Sequence, residues 1–218
     1  MIDESAVRAA PGRVRTKYRL KELFWTIQGE GHNAGVPSIF VRFAGCNQWT
    51  GLEEDRAAGL ADCARWCDTD FSDGEWVEHP ALVAKIASYR DHALLVVFTG
   101  GEPGLQVTSA LLREVNALGL QCAIETNGTV ALPAGDCWTT VSPKGGRLPL
   151  VVTAGDELKL VYPQAGAQPG EFETLPFTYF YLQPRDNSPE STRACLDYIR
   201  QHPQWRLSVQ VHKYIGVR

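Results

Sequence analysis

Five apolar segments of this chain each run straight into a short polar or glycine-rich turn, and this repetition constrains the fold more than any other feature. Residues 37–44 (PSIFVRFA) lead into Gly45-Cys46, 94–98 (LLVVF) into Thr99-Gly100-Gly101-Glu102-Pro103, and 121–125 (QCAIE) into Thr126-Asn127-Gly128. Residues 138–141 lead into Ser142-Pro143-Lys144, and 177–182 (FTYFYL) into 183–186. Their branched and aromatic content marks them as strands, and the uniformly apolar 94–98 suits a sheet covered on both faces. Residues 157–161 (ELKLV) and 206–211 are two further strands, and 18–28 is an extended segment running into Gly29-Glu30-Gly31. Helical spacing appears at 80–89, 107–118 and 188–202, with Pro80 in a first turn and Gly119 at a stop. Strands alternating with helices predict an α/β fold with a mainly parallel sheet. Helices are missing or very short after Val141 and Val161, which predicts an incomplete, open β/α barrel. Ligands of such sheets collect at the carboxyl ends of the strands, where the polar turns stand.

The first turn opens the stretch that carries the chemistry. Three of the six cysteines lie in it, with sixteen residues between Cys46 and Cys63 and three between Cys63 and Cys67. A closed zinc site and an ordinary electron-transfer iron–sulfur cluster both want four protein ligands. Three thiolates therefore suggest a metal centre with an open position, which belongs to catalysis. Cys122 sits inside an apolar strand and reads as a small buried hydrophobe, with Cys137 and Cys195 structural in the same way. At 218 residues, 44% hydrophobic and 21% charged, the chain is within reach of one domain. We expect a partly disordered lead-in at 1–16 and a single domain over 17–218, with an insertion in the cysteine loop at about 47–62. A net charge of -4 gives no footprint for nucleic acid, and no apolar run is long enough to span a membrane. The first residues lack the apolar core of a signal peptide, so the expected compartment is the reducing cytoplasm, where clustered cysteines mean metal or catalysis.

Other candidates flank the turns. Arg42 interrupts a strand whose Ile39, Val41 and Phe43 share one face, leaving Phe40 and Arg42 on the other. Spacing alone favours a solvated arginine there over a cation gripping an anion. Asp68, Thr69 and Asp70 offer hard oxygen atoms suited to magnesium, although such residues also cap turns. Glu125 divides evenly between the core and a ligand, and His32 has no assigned role.

Taken together and in order, FWTIQGEG, VPSIFVRFAGCN, WCDT, TGGEP, ETNG, VSPK, LQP and VHKYIG resemble the 7-carboxy-7-deazaguanine synthase family of radical S-adenosylmethionine (SAM) enzymes, over about residues 18–218. The resemblance implies a partial radical-SAM barrel with a [4Fe–4S] cluster on Cys46, Cys63 and Cys67, whose fourth iron takes the methionine of SAM. It places Gly100, Gly101 and Glu102 at the methionine, Trp66 and Asp68 around the nucleoside cofactor, and Ser142, Pro143 and Lys144 at its ribose and carboxylate. Gln183, Pro184, Arg185 and Asp186 complete that pocket. The implied reaction is a radical ring contraction of 6-carboxy-5,6,7,8-tetrahydropterin to 7-carboxy-7-deazaguanine with loss of ammonia, on the route to queuosine and related 7-deazapurines, with SAM regenerated. Thr69 matches the magnesium contact. Ile27, Gln28, Gly29 and Glu30 line the pterin, Arg42 holds its carboxylate, and Thr99, His212 and the terminal carboxylate of Arg218 add contacts. The family also implies a homodimer and an electron donor such as flavodoxin or ferredoxin.

The spacing of sixteen and then three departs from the superfamily's three and then two. The long gap resembles a branch of the family with an insert, and the extra residue before Cys67 puts the loop geometry in question. The alternatives are a glycyl-radical activating enzyme, which needs no QGEG segment, and a non-enzymatic zinc-binding module.

Overall fold

The computed structural model describes residues 15–217, so most of the 1–16 segment and Arg218 lie outside the described residues. The elements run β1 (Lys17–Ile27), β2 (Pro37–Phe43), β3 (Glu75–Glu78), α1 (His79–Ala87), β4 (Leu95–Gly100), α2 (Ser109–Ala117), β5 (Gln121–Thr126), β6 (Trp138–Val141), β7 (Gly155–Tyr162), β8 (Phe177–Pro184), α3 (Pro189–Gln201), β9 (Trp205–Leu207) and α4 (Val211–Ile215). The nine strands of the described residues form one sheet in the order β3-β1-β2-β4-β5-β6-β7-β8-β9, with β3 and β9 at its edges. From β2 to β9 every pairing is parallel. The expected open α/β barrel is therefore present. Only β1 departs from that direction, pairing antiparallel with both β2 and β3. The β1–β2 turn is tied by Gln28 N donating to Val36 O at 2.9 Å and Gly35 N to Gln28 O at 2.8 Å.

Two-residue periodicity sorts the strand side chains. On the outer face, Ile39, Val41, Phe43, Val96, Phe98, Cys122 and Ile124 pack against Leu82 and Ile86 of α1 and Leu111, Leu112 and Val115 of α2. Leu158, Leu160, Phe180 and Leu182 pack against Cys195 of α3 and Trp205. A separate cluster of Leu95, Val97 and Ala123 fills the other face, with Phe40 packed on it. Helix starts follow their caps. α2 begins two residues later than its apolar spacing predicts, because the Thr108 hydroxyl accepts from Leu111 N at 3.2 Å. α3 begins with Pro189 after Ser188, whose hydroxyl accepts from Ser191 N at 3.1 Å.

One strand was not foreseen and one expectation needs correction. The edge strand β3 gave no clear signal, because only Val77 of its four residues is buried. The final strand is not 206–211 but Trp205–Leu207. After it the chain turns inward: Ser208 N donates to Leu182 O at 2.9 Å and Val211 N to Gly29 O at 2.9 Å. The short α4 then takes residues that an extended strand would have carried past the sheet. Among the described residues, no helix is long and apolar enough to cross a membrane.

Candidate active site

The concave face and the carboxyl ends of the strands enclose a cavity of about 550 Å3, within the usual range of small-molecule sites. Alternation decides which side chains reach it. Phe40 and Arg42 of β2, Thr99 of β4, Glu125 of β5, Lys159 and Val161 of β7 and Gln183 of β8 all line it. Their intervening neighbours belong to the outer core.

Cys46, Cys63 and Cys67 all stand in its wall, with Cys63 close enough to feel the charge of Cys67 and to act on Cys46. The insertion between them is anchored: Trp49, Ala64 and Phe71 form a small core against Cys46 and Cys67. Arg56 lies 4.8 Å over the Trp49 ring and donates to the carbonyls of Ala64 (2.7 Å) and Cys67 (3.3 Å). The extra residue before Cys67 is absorbed by one helical turn, in which Cys67 N donates to Cys63 O at 2.7 Å. Burial pushes the Cys46 thiol up to about 12, with the Glu102 carboxylate adding to it. Burial likewise pushes Cys63 up to about 11, against the opposing charge of Lys144. Thiols pushed up as Cys46 and Cys63 are ionise only beside strong positive charge, which bound iron would supply. Beside them, Gln48 is buried and lines the cavity, yet its amide Nε2 and Oε1 have no hydrogen-bond partner among the described residues. The donor set itself, three free thiols lining one cavity, fits a cluster held by three thiolates.

The Gly-Gly-Glu turn packs directly behind Cys46. A Cβ on Gly100 would meet Phe43 O at 2.1 Å, and one on Gly101 would meet Gly45 O at 2.0 Å. Gly100 also takes φ 131°, which favours glycine. The glycines are thus required by the close approach of two backbones, and both still line the cavity. Glu102 is fully buried and accepts from Gly104 N (2.7 Å), Thr126 Oγ1 (2.7 Å) and Asn127 N (2.8 Å). Burial raises its carboxyl above the usual range against those three donors. It ties the turn to the end of β5, and its side chain has no oxygen left over for a ligand.

Further along the rim, Lys144 Nζ donates to Ser142 Oγ at 2.8 Å and sits 5.4 Å over the Trp66 ring. All three residues line the cavity, as does Gln183. Pro143, Pro184, Arg185 and Asp186 do not: the Pro143 carbonyl accepts from Gln164 Nε2 at 3.1 Å, and Arg185 faces Asp186 at 3.9 Å. Asp68, Thr69 and Asp70 reach the wall, with Asp68 paired to Lys213 (2.9 Å) and Asp70 to Lys21 (2.7 Å).

Ile27, Gln28, Gly29, Glu30, Arg42, Thr99 and His212 line the same cavity. The inward turn of the C-terminal segment lays His212 against Gly29, where a Cβ would meet its Nδ1 at 2.0 Å. Arg42 faces the cavity rather than bulk water, and its Nε donates to Glu22 at 2.8 Å. Glu30 is not a free acceptor: Lys159 Nζ donates to its Oε2 and Gln210 Nε2 to its Oε1 at 2.8 Å. Burial alone would raise Glu30, but the Lys159 ammonium and these donors hold it well below the usual carboxylate range. Glu125 accepts from Gln28 Nε2 at 2.9 Å and faces Thr99 Oγ1 at 3.4 Å, so it belongs to the site and not to the core. Lys159 and Gln210 were missed by the sequence reading. The available signal was a lysine at alternating spacing in the otherwise apolar ELKLV strand. Glu157, two residues earlier, accepts from His32 N at 2.8 Å, and burial raises it to about 7 despite Lys159. His32 stacks on Trp138 (4.9 Å) and Tyr179 (4.1 Å), outside the cavity. The contact assigned to Arg218 lies outside the described residues.

No family model matches the chain. It is 51% identical over 211 residues to the 7-carboxy-7-deazaguanine synthase of Bordetella pertussis, covering 92% of this chain and 99% of the relative. It is 50% identical over 212 residues to that of Bradyrhizobium diazoefficiens, with the same coverage. Among solved structures, it superposes on the crystal structure of QueE from Escherichia coli with a TM-score of 0.70 at 28% identity, covering 90% of this chain and 95% of that one.

Proposed function

Because the chain belongs to the 7-carboxy-7-deazaguanine synthase family, we propose that its cavity converts 6-carboxy-5,6,7,8-tetrahydropterin to 7-carboxy-7-deazaguanine, with the thiol end and the charged end dividing the work. The observation that carries this reading is that one cavity joins Cys46, Cys63 and Cys67 to Arg42, Thr99 and the Gln28–Glu30 turn. Cys46, Cys63 and Cys67 hold a [4Fe–4S] cluster. Bound there, the cluster and SAM supply the electron and the 5′-deoxyadenosyl radical that open the reaction.

The remaining roles fall to the chain. Lys144 brings a cation to the carboxylate of SAM, and its contacts with Ser142 and Trp66 fix its place. Gly100 and Gly101 present backbone to the methionine, while Glu102 keeps that turn in shape from behind. Gln183 borders the nucleoside, whereas Pro143, Pro184, Arg185 and Asp186 act through the shape of their turns. Arg42 holds the pterin carboxylate with the guanidinium nitrogens not committed to Glu22. Ile27, Gln28 and Gly29 border the ring. Glu30 serves by locking Lys159 and Gln210 rather than by touching the ring itself. Thr69 would offer a hydroxyl to Mg2+, since the flanking Asp68 and Asp70 are already paired to lysines, and the ion would help orient the substrate carboxylate. The Arg218 carboxylate closes the pterin side. The protein works in the cytoplasm as a homodimer fed by flavodoxin or ferredoxin.

The test is anaerobic reconstitution with iron and sulfide, then reductant, SAM, Mg2+ and the carboxypterin. The expected outcome is 7-carboxy-7-deazaguanine by mass spectrometry with SAM conserved and no product from Cys46→Ala. A brown protein that cleaves SAM without forming this product would refute the substrate assignment.

A further inference from the structure

Lys213 and Asp68 meet at the rim of the cavity, where Lys213 Nζ donates to Asp68 Oδ2 at 2.9 Å. Both side chains line the cavity, yet they are 45% and 64% exposed, so the pair stands where the cavity opens to solvent. The two sides of this contact are unequal. Asp68 belongs to an anchored segment: Cys67 N donates to Cys63 O at 2.7 Å, Asp70 pairs with Lys21 at 2.7 Å, and Phe71 is buried with its carbonyl accepting from Gly45 N at 2.9 Å. Lys213 belongs to α4, a helix of five residues, none of them buried. Val211 N, donating to Gly29 O at 2.9 Å, ties the start of α4, and the Lys213–Asp68 pair follows two residues on. A segment with so few buried contacts opens locally at low cost. It nevertheless carries His212, which lies against Gly29 in the cavity wall.

We propose that the Lys213–Asp68 pair is a clasp that holds α4 closed over the cavity and so positions His212 against Gly29. The pair joins the residue after Cys67 to the residue after His212, and thus bridges the cysteine loop and the C-terminal segment at the cavity's opening. An ion pair this exposed is weak and is screened by salt. That suits a strap which opens to pass substrate and product, whereas an apolar seal would hold α4 down throughout. Lys213 is a positioning residue that acts through His212, not a catalytic one. The clasp rests on the geometry alone, and its effect on the carboxypterin rests on the function proposed above.

Hydrogen exchange of the full-length apoprotein, read by mass spectrometry over residues 211–217, tests the clasp in Lys213→Met, Asp68→Asn, the double variant and Lys213→Arg. Exposed ion pairs shift local equilibria by about 2- to 5-fold, so either single change is expected to speed exchange there by that factor at low salt. The double variant should be no faster than the singles, and Lys213→Arg should stay near wild type. Salt at about 1 M should bring wild type to the rate of the variants. Exchange in β5 should not move. Unchanged exchange over 211–217 in Lys213→Met, additive effects in the double variant, or equal acceleration in β5 would overturn the clasp. In the reconstituted enzyme, Lys213→Met is expected to raise KM for the carboxypterin by a similar factor at unchanged kcat, with Lys213→Arg restoring it. An unmoved KM beside faster exchange would overturn the positioning of His212 by this pair. If wild-type enzyme forms no product, the substrate reading fails, while exchange still decides the clasp.

Discussion

Lys159 on β7 donates to Glu30 Oε2 across 129 positions of sequence, and its ammonium stands 3.8 Å from Glu125 Oε1. One buried cation thus joins the turn after β1 to the end of β5. Burial would lower Lys159, but Glu125, Glu30 and Glu157 outweigh it and hold the ammonium protonated. Lys159→Met leaves these carboxylates buried without their counter-charge, a change that typically costs about 3–5 kcal/mol. Urea unfolding of the variant should show that loss, and adding Glu30→Gln should recover part of it. A loss under about 1 kcal/mol would mean that solvent, not Lys159, balances the carboxylates.

Glu157 gives folding stability a pH signature. Its carboxyl is raised from 4.5 to about 7, first by burial and then by Glu125 and Glu30, with Lys159 and the His32 N–H opposing. The folded state therefore binds more protons than the unfolded state between those values. Its contribution is fully present below about pH 4.5 and is lost as pH rises through 7. The full rise is worth roughly 3 kcal/mol at 1.36 kcal/mol per pH unit. Glu157→Gln keeps an acceptor for His32 N and removes the titration. The Tm of the variant relative to wild type should climb from pH 5 to pH 8, and a constant difference would refute the assignment.

Much of this was legible in the chain because parallel strands announce themselves locally. LLVVF, QCAIE and FTYFYL are short apolar runs, and the turns after them fall at one end of the sheet by topology alone. The residues that hold the site's charges were harder to read. Glu30 was read as lining the pterin because nothing local shows that Lys159 and Gln210 occupy both its oxygens. Glu102 looked like a ligand contact, since its three donors come from elsewhere in the fold or from its own turn. The last strand was misread for the same reason: the pull of Gly29 O on Val211 N is tertiary. Arg42 shows the limit of spacing, which fixed its face but not what that face borders.

Arg42 tests the charged end of the cavity. It is half-buried, spends its Nε on Glu22, and sits beside Thr99 in the β2–β4 register. Lysine keeps the charge but loses the planar fork that grips a carboxylate. A lost charge-assisted hydrogen bond is worth about 1.5–3 kcal/mol, so Arg42→Lys should lower kcat/KM by roughly 10- to 100-fold. Folding stability should change little. Steady-state kinetics with the carboxypterin and with an analogue lacking the carboxylate separate the causes. If both substrates lose equally, Arg42 does not read the carboxylate.

Gly101 offers the clearest link between backbone packing and the thiol end. A Cβ there would meet Gly45 O at 2.0 Å, Gly45 C at 2.4 Å and Cys46 N at 2.9 Å. All three atoms are backbone, so no rotamer change relieves the contact, and the segment carrying Cys46 must move. Gly101→Ala should destabilise the protein by about 1–3 kcal/mol, as overpacking does. It should also reduce iron bound after reconstitution, because one of the three thiols is displaced. Gly170→Ala is the control, since its Cβ would meet only the Tyr198 hydroxyl at 3.6 Å. That variant should stay within about 0.5 kcal/mol of wild type and bind iron normally. Full iron content in Gly101→Ala would show that the Cys46 loop yields without losing its ligand, and would separate the turn from the thiol site.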